Sequence, residues 1–298
     1  MTSFSGTTPT DAVELQKLLA SDRANDNFGW SVSLSADGST ALVGSLQEST
    51  SPNTTNGAAY VFTRSGSTWT EQQKLLASDP ANSDLLGYSV ALSADGNTAL
   101  IGAVLEDTSP NSDNGAAYVF TRTAGVWTQQ QKLLASDAAS NEEFGISVAL
   151  SADGNTALIG ADKEDTSPNT NNGATYVFTR SGSTWTQQQK LLASDAASND
   201  NFGKSVALSA DGDTALISAE NEDTSPNTNN GAVYIFTRSG TTWTEQQKLL
   251  ASDAAGGDGF GDSVALSADG NTALIGAAAE DTSPNTNNGA VYIYALGN

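Results

Sequence analysis

"FGISVALSADGNTALIGADKEDTSPNTNNGATYVF", residues 144–178, decides the fold, because the chain writes nearly the same words five times. The copies start at Phe28, Leu86, Phe144, Phe202 and Phe260, 58 residues apart each time. A second marker, the lysine of "QKLL", stands at Lys17, Lys74, Lys132, Lys190 and Lys248. Its first spacing is 57 rather than 58, and the missing residue falls in the loop "ASDRANDN". A period of this length held with this fidelity means a repeat architecture.

Each unit reads as four short strands. "SVALS" is followed by the Asp-Gly turn "ADGN", the favoured hairpin chemistry, and then by "TALIGA". "EDTSPNTNNG" is a polar loop too rich in breakers to be regular. "AVYVFTR" is β-branched and aromatic, "SGST" is a tight turn, and "WTQQQKLLAS" is the fourth strand. The third strand is apolar on both parities, as expected of a sheet covered on both faces. Four strands per unit and several units argue for an all-β propeller rather than a solenoid, which needs distinct polar caps. The chain opens with a fourth strand, "ELQKLLAS", and stops after a third, "AVYIYALGN". The expected architecture is therefore a single domain over residues 1–298: a five-bladed β-propeller with four antiparallel strands per blade. Residues 14–20 are expected to complete the last blade by pairing near Val291–Tyr294.

Composition removes several chemistries. With no cysteine and no histidine there is no disulfide framework, thiolate metal site, Ser-His-Asp or Cys-His nucleophile, or HExxH zinc site. A formal charge of −22 repels phosphate backbones and anionic membranes, so nucleic acid is excluded as a natural partner. No apolar run approaches a membrane span. The opening "MTSFSGTTPTDAV" lacks the basic and apolar regions of a signal peptide, while the Ser/Thr/Asn/Asp-rich, lysine-poor composition suits an extracellular or cell-surface protein.

The words "FGxSVALS…ALIGA" and "GAVYVF" resemble the FG-GAP repeat family, the blades of integrin alpha-subunit propellers, over residues 16–296. Leu86 replaces the Phe in one unit and Ser218 the Gly in another. The resemblance implies that strand 1 is innermost and strand 4 outermost, with the 2–3 and 4–1 loops on one face, often the ligand face. It also implies a calcium loop in the 1–2 hairpin. Here that hairpin is only "SADGNT", with one carboxylate, too few oxygens for the six to eight that calcium takes, so no metal or other cofactor is expected.

The positions that differ between copies carry the functional reading. The residue after FG is Trp30, Tyr88, Ile146, Lys204 and Asp262. The pair after the second strand is Leu46-Gln47, Val104-Leu105, Asp162-Lys163, Glu220-Asn221 and Ala278-Ala279. Strand 1 leaves the loop face and strand 2 returns to it, so both sets should ring the mouth of the axial channel. Of twelve basic residues, nine belong to the repeated "QKLL" and "FTR" words; the others are Arg23, Lys163 and Lys204, all at loops of that face. The FG phenylalanines and the strand-4 tryptophans Trp69, Trp127, Trp185 and Trp243 read as packing between blades. The "EDTSPN" loops read as turns bonded to themselves.

Two function classes fit. The first is a non-enzymatic binding or adhesion module, lectin-like, taking a glycan or protein ligand on an asymmetric funnel. Trp30 and Tyr88 would anchor an apolar face and Lys163 and Lys204 an acceptor or carboxylate. The second is a glycosidase using Asp162, Glu220 and Asp262 as paired carboxylates. A purely structural repeat protein is the blander alternative.

Overall fold

The computed structural model describes residues 14–22, 26–281 and 287–297. It is a β-propeller of five blades, with no helix among the described residues. Blade 1 holds β1 (Phe28–Leu34), β2 (Thr40–Ser45), β3 (Ala58–Ser65) and β4 (Thr68–Leu75). Blade 2 holds β5 (Leu86–Leu92), β6 (Thr98–Ala103), β7 (Ala116–Thr123) and β8 (Val126–Leu133). Blade 3 holds β9 (Val148–Leu150), β10 (Thr156–Ala161), β11 (Ala174–Ser181) and β12 (Thr184–Leu191). Blade 4 holds β13 (Phe202–Leu208), β14 (Thr214–Ala219), β15 (Ala232–Ser239) and β16 (Thr242–Leu249). Blade 5 has three strands, β17 (Phe260–Leu266), β18 (Thr272–Ala277) and β19 (Ala290–Ala295). Within each blade the strands pair antiparallel in chain order.

Alternation along β2 and β3 sends apolar side chains to both faces, and both faces are used. Leu42, Ala59 and Val61 of blade 1 pack against Ile101, Tyr118 and Phe120 of blade 2, and the same positions recur at the next three junctions. The FG phenylalanine lies edge-on to its own blade's tyrosine, as with Phe144 and Tyr176 at 5.4 Å between ring centroids. Tyr60, Tyr118, Tyr176 and Tyr234 are fully buried, each worth about 1.5–3 kcal/mol in apolar burial. Their hydroxyls donate to Asp22, Asp79, Asp137 and Asp195, so no polar atom is stranded.

Three further contacts repeat between blades. At the Asp-Gly turns, the N–H of Ala36 donates to the Ala94 carbonyl, Ala94 to Ala152, Ala152 to Ala210 and Ala210 to Ala268, at 2.9–3.0 Å. At the rim, the Gln73 side chain clamps both the N–H and the C=O of Trp127, as Gln131 does Trp185 and Gln189 does Trp243. Near the axis the backbones come so close that a Cβ at Gly160 would lie 2.0 Å from the Gly203 carbonyl oxygen. Gly203 itself has φ of 96°, a conformation other residues adopt only with strain.

The N-terminal segment departs from expectation. Residues 14–20 form no strand and make no backbone ladder with β19 among the described residues. They lie where the fourth strand of a blade preceding blade 1 would lie. Gln16 clamps Trp69 as Gln73 clamps Trp127, and Leu18 and Ala20 cover Val43, Tyr60 and Phe62. The segment follows the apolar face it covers, not the edge it was expected to complete. That edge lies elsewhere because blades 5 and 1 lack the packing of the other junctions. Val32 and Leu34 of blade 1 are 71% and 57% exposed, and Val291 and Ile293 of blade 5 are 65% and 72% exposed.

Gly160→Ala should cost about 1–3 kcal/mol or more through overpacking, read as a lowered urea midpoint. An unchanged midpoint would mean that the close backbone approach does not hold the blades together.

Candidate functional site

A tight turn fixes the residue after FG in all five blades. The N–H of Trp30 returns to the Asn27 carbonyl, Tyr88 to Leu85, Ile146 to Glu143, Lys204 to Asn201 and Asp262 to Gly259, at 3.0–3.2 Å. The accepting residue has positive φ each time, including Leu85 and Glu143, types that rarely adopt it. A register shift in strand 1 follows, between Phe28 and Val32 in blade 1 and at matching places in blades 2, 4 and 5. The second residue past the end of the second strand is held by the 4–1 loop: the N–H groups of Gln47, Leu105 and Asn221 donate to the carbonyls of Asp26, Asp84 and Asp200.

These turns gather two groups. Trp30, 54% exposed, lies 5.7 Å from Tyr88 between ring centroids. Lys204 Nζ lies 3.4 Å from Asp162 Oδ2 and 4.0 Å from Glu220 Oε1. Burial holds Tyr88 above its ordinary range, with Lys204 opposing and Asp162, Glu143 and Glu220 adding. Asp162 is fully buried, and its carboxylate has the Lys204 ion pair but no well-formed hydrogen bond. Beside it Asn201 donates to the Asp162 backbone carbonyl, and Asn221 donates to Asn201. A 140 Å³ cavity opens next to this cluster, lined by Glu220, Asn221, Asp262, Ala278 and Ala279.

The remaining positions divide by exposure. Gln47 and Asp262 are exposed, Leu105 and Lys163 half-buried, and Leu46, Val104 and Ile146 buried beneath the mouth. Arg23 lies outside the described residues. Lys204, expected to orient a ligand acceptor or carboxylate, stands at the mouth already paired with Asp162 and Glu220. Burial pulls its ammonium down, but Asp162 and Glu220 outweigh that and raise it, so its charge is already compensated. Glu143 and Asn201 also belong to the mouth. Burial raises Glu143, with Asp162 adding and Lys163 and Lys204 opposing. Both stand just before FG, a position that varies as Asn27, Leu85, Glu143, Asn201 and Gly259, so the signal was present in the repeat.

The rim is uniform. Lys132 bridges Asp79 and Glu106, and Lys74, Lys190 and Lys248 do the same with their counterparts. Asp107, Asp165 and Asp223 accept from the backbone N–H six residues on, so these loops bond to themselves. Trp127, Trp185 and Trp243 are buried with an arginine over each ring. In the 4–1 loops, burial and a neighbouring loop glutamate push Asp84 and Asp200 up to about 6 and Glu142 to about 7.

The sequence profile described as FG-GAP repeat matches residues 13–62, 69–120, 127–178, 185–236 and 243–294. With this coverage and five matching blades, the chain belongs to the FG-GAP repeat family. The last four matched stretches begin in a fourth strand, and all five end in a third. No curated protein was found to match the chain.

The raised carboxyls make stability depend on pH. A group whose folded pKa lies above its unfolded value stabilises below the unfolded value, and that contribution is lost as pH rises through the folded one. Asp79, Asp137 and Asp195 run oppositely: burial opposes them, but the lysine and tyrosine partners hold them low, so their contribution is lost in acid. The melting temperature should therefore rise as pH falls from about 8 to about 5 and drop again below about 3.5. Glu142→Gln should flatten the neutral-side slope. A wild-type melting temperature that falls steadily from pH 8 to 5 would refute the assignment.

Proposed function

We propose that this chain is a non-enzymatic binding module whose ligand sits at the axial mouth on the 2–3/4–1 loop face. One observation carries the reading: the positions that break the repeat come together there, with Trp30 exposed against Tyr88 on one side and Asp162, Lys204 and Glu220 on the other. An aromatic platform beside placed polar groups is how recognition sites hold a small or extended ligand. The charge balance narrows the class. Glu143, Asp162, Glu220 and Asp262 outnumber Lys163 and Lys204, and Lys204 is already paired. The mouth therefore suits a neutral, hydroxyl-rich ligand, a glycan before an anionic peptide. Such a ligand agrees with an extracellular or cell-surface setting, and the net charge of −22 disfavours nucleic acid. The glycosidase reading has less support, because Asp162 and Glu220 both lie on Lys204 rather than being arranged as an acid and a nucleophile.

A glycan array followed by calorimetric titration tests this. Trp30→Ala should weaken binding by about 1–3 kcal/mol and leave the melting temperature close to the parent's. Trp185→Ala, at a buried rim position, should lower the melting temperature and leave affinity nearly unchanged. If Trp30→Ala and Tyr88→Ala both bind the ligand like the parent, the mouth is not the site.

A further inference from the structure

Blades 3 and 4 fill their junction at the mouth with side chains. Asn201 donates its amide to the Asp162 carbonyl at 3.1 Å and accepts from the Asn221 amide at 2.9 Å. Lys204 lies between the carboxylates of Asp162 and Glu220 on the same ground. Moved on by one repeat of 58 residues, these five residues become Gly259 for Asn201, Glu220 for Asp162, Asp262 for Lys204, Ala278 for Glu220 and Ala279 for Asn221. Those five, with Asn221, line the 140 Å³ cavity. The cavity between blades 4 and 5 is therefore the space that the junction of blades 3 and 4 fills with its own polar groups.

Gly259 does most to open it. The same place is taken by Asn27, Leu85, Glu143 and Asn201, with φ of 54°, 58°, 57° and 60°, and Gly259 has φ of 65°. The turn thus accepts a side chain in every other blade. A Cβ at Gly259 would meet nothing within 4 Å. The loop that carries it is tied to blade 4, since Gly257 and Phe260 donate to the carbonyls of Thr228 and Asn230, so the notch belongs to an internal junction and not to the ends of the chain. The acceptor that Asn201 finds in the Asp162 carbonyl has its counterpart in the Glu220 carbonyl, which receives no such donor among the described residues. Two carboxylates flank the space: burial raises that of Glu220, with Lys204 opposing and Asp262 and Asp162 adding.

We propose, resting on the reading of the mouth as a glycan site, that this notch is its specificity pocket and takes a neutral N–H or O–H donor on a sugar ring in the place of the Asn201 amide. The donor is delivered to the Glu220 carbonyl. Glu220 and Asp262 accept from neighbouring hydroxyls, and they reject a sugar that carries a carboxylate or phosphate here. An acetamido group and a ring hydroxyl both supply such a donor, and the acetamido group matches the missing carboxamide in shape. Trp30 and Tyr88 hold the apolar face of the same ligand on the other side of the mouth.

Cellotriose and chitotriose share a backbone and differ in carrying a hydroxyl or an acetamido group at one ring carbon, so calorimetric titration with each separates the two donors. The parent should bind at least one of them saturably. Gly259→Asn should weaken that binding by about tenfold or more, since the new amide takes both the space and the acceptor. Its melting temperature should stay at or above the parent's, because Asn27 and Asn201 hold the same backbone angle. Gly259→Leu, the residue of blade 2 at this place, should also weaken binding and keep the melting temperature, filling the notch without an amide. Parent affinity in both variants, with Trp30→Ala weakened, would overturn the notch and leave the mouth standing as the site. Parent affinity in all three would overturn both. A melting temperature lowered in both Gly259 variants would overturn the notch by showing that the glycine serves the turn. A parent that binds neither sugar would overturn it as well, and the glycan array then decides the mouth alone.

Discussion

Between one blade and the next, the carbonyl of an FG glycine lies where the Cβ of the preceding second strand would be, so that strand carries Gly44, Gly102 and Gly160. The approach brings Leu42, Val61 and their repeats within van der Waals reach of the next blade's Tyr and Phe. It also lets Ser31, Ser89 and Ser147 donate across the junction to the carbonyls of Gly87, Gly145 and Gly203. The one substituted junction shows the tolerance of the contact. Ser218 replaces the glycine in blade 4, and its hydroxyl accepts the Ser205 N–H at 2.9 Å, so the added polar group is satisfied as it is buried.

The blades were legible because their signals are local and five times repeated. The Asp-Gly hairpins, the two-sided third strand and the buried FG phenylalanines all follow from the type of residue at a position. The seam was not legible. That "ELQKLLAS" is a fourth strand in phase with "AVYIYALGN" is a statement about pattern, and the structure keeps the pattern, since Gln16, Leu18 and Ala20 make fourth-strand contacts with blade 1. Whether blade 5 reaches that segment depends on the rotation between blades, summed over four junctions, and no residue encodes that sum. At the mouth, the variable positions were readable as a set. The pairing of Lys204 with Asp162 was not, because the two are on different blades and 42 residues apart.

Charge is distributed with a similar economy. The chain has 34 acidic and 12 basic side chains, and four of the five repeated lysines, Lys74, Lys132, Lys190 and Lys248, each bridge two carboxylates at the rim. The mouth is where the pattern breaks. There a lysine on an inner strand takes over the same bridging between two acids, and an aromatic pair occupies the corresponding ground two blades away.

The glutamine clamp at the rim bears on how a chain of near-identical units avoids confusing them. Every fourth strand has an outer edge whose main-chain groups invite another strand, and each neighbour offers one of almost the same sequence. A single amide, from the N-terminal segment at Trp69 and from the preceding blade at Trp127, Trp185 and Trp243, occupies both the N–H and the C=O of each, imitating one rung of a ladder. The rung is made by a side chain too short to continue into a strand. Blades are thereby stitched at their outer edges in order, while the position most inviting to a mispaired repeat is already taken.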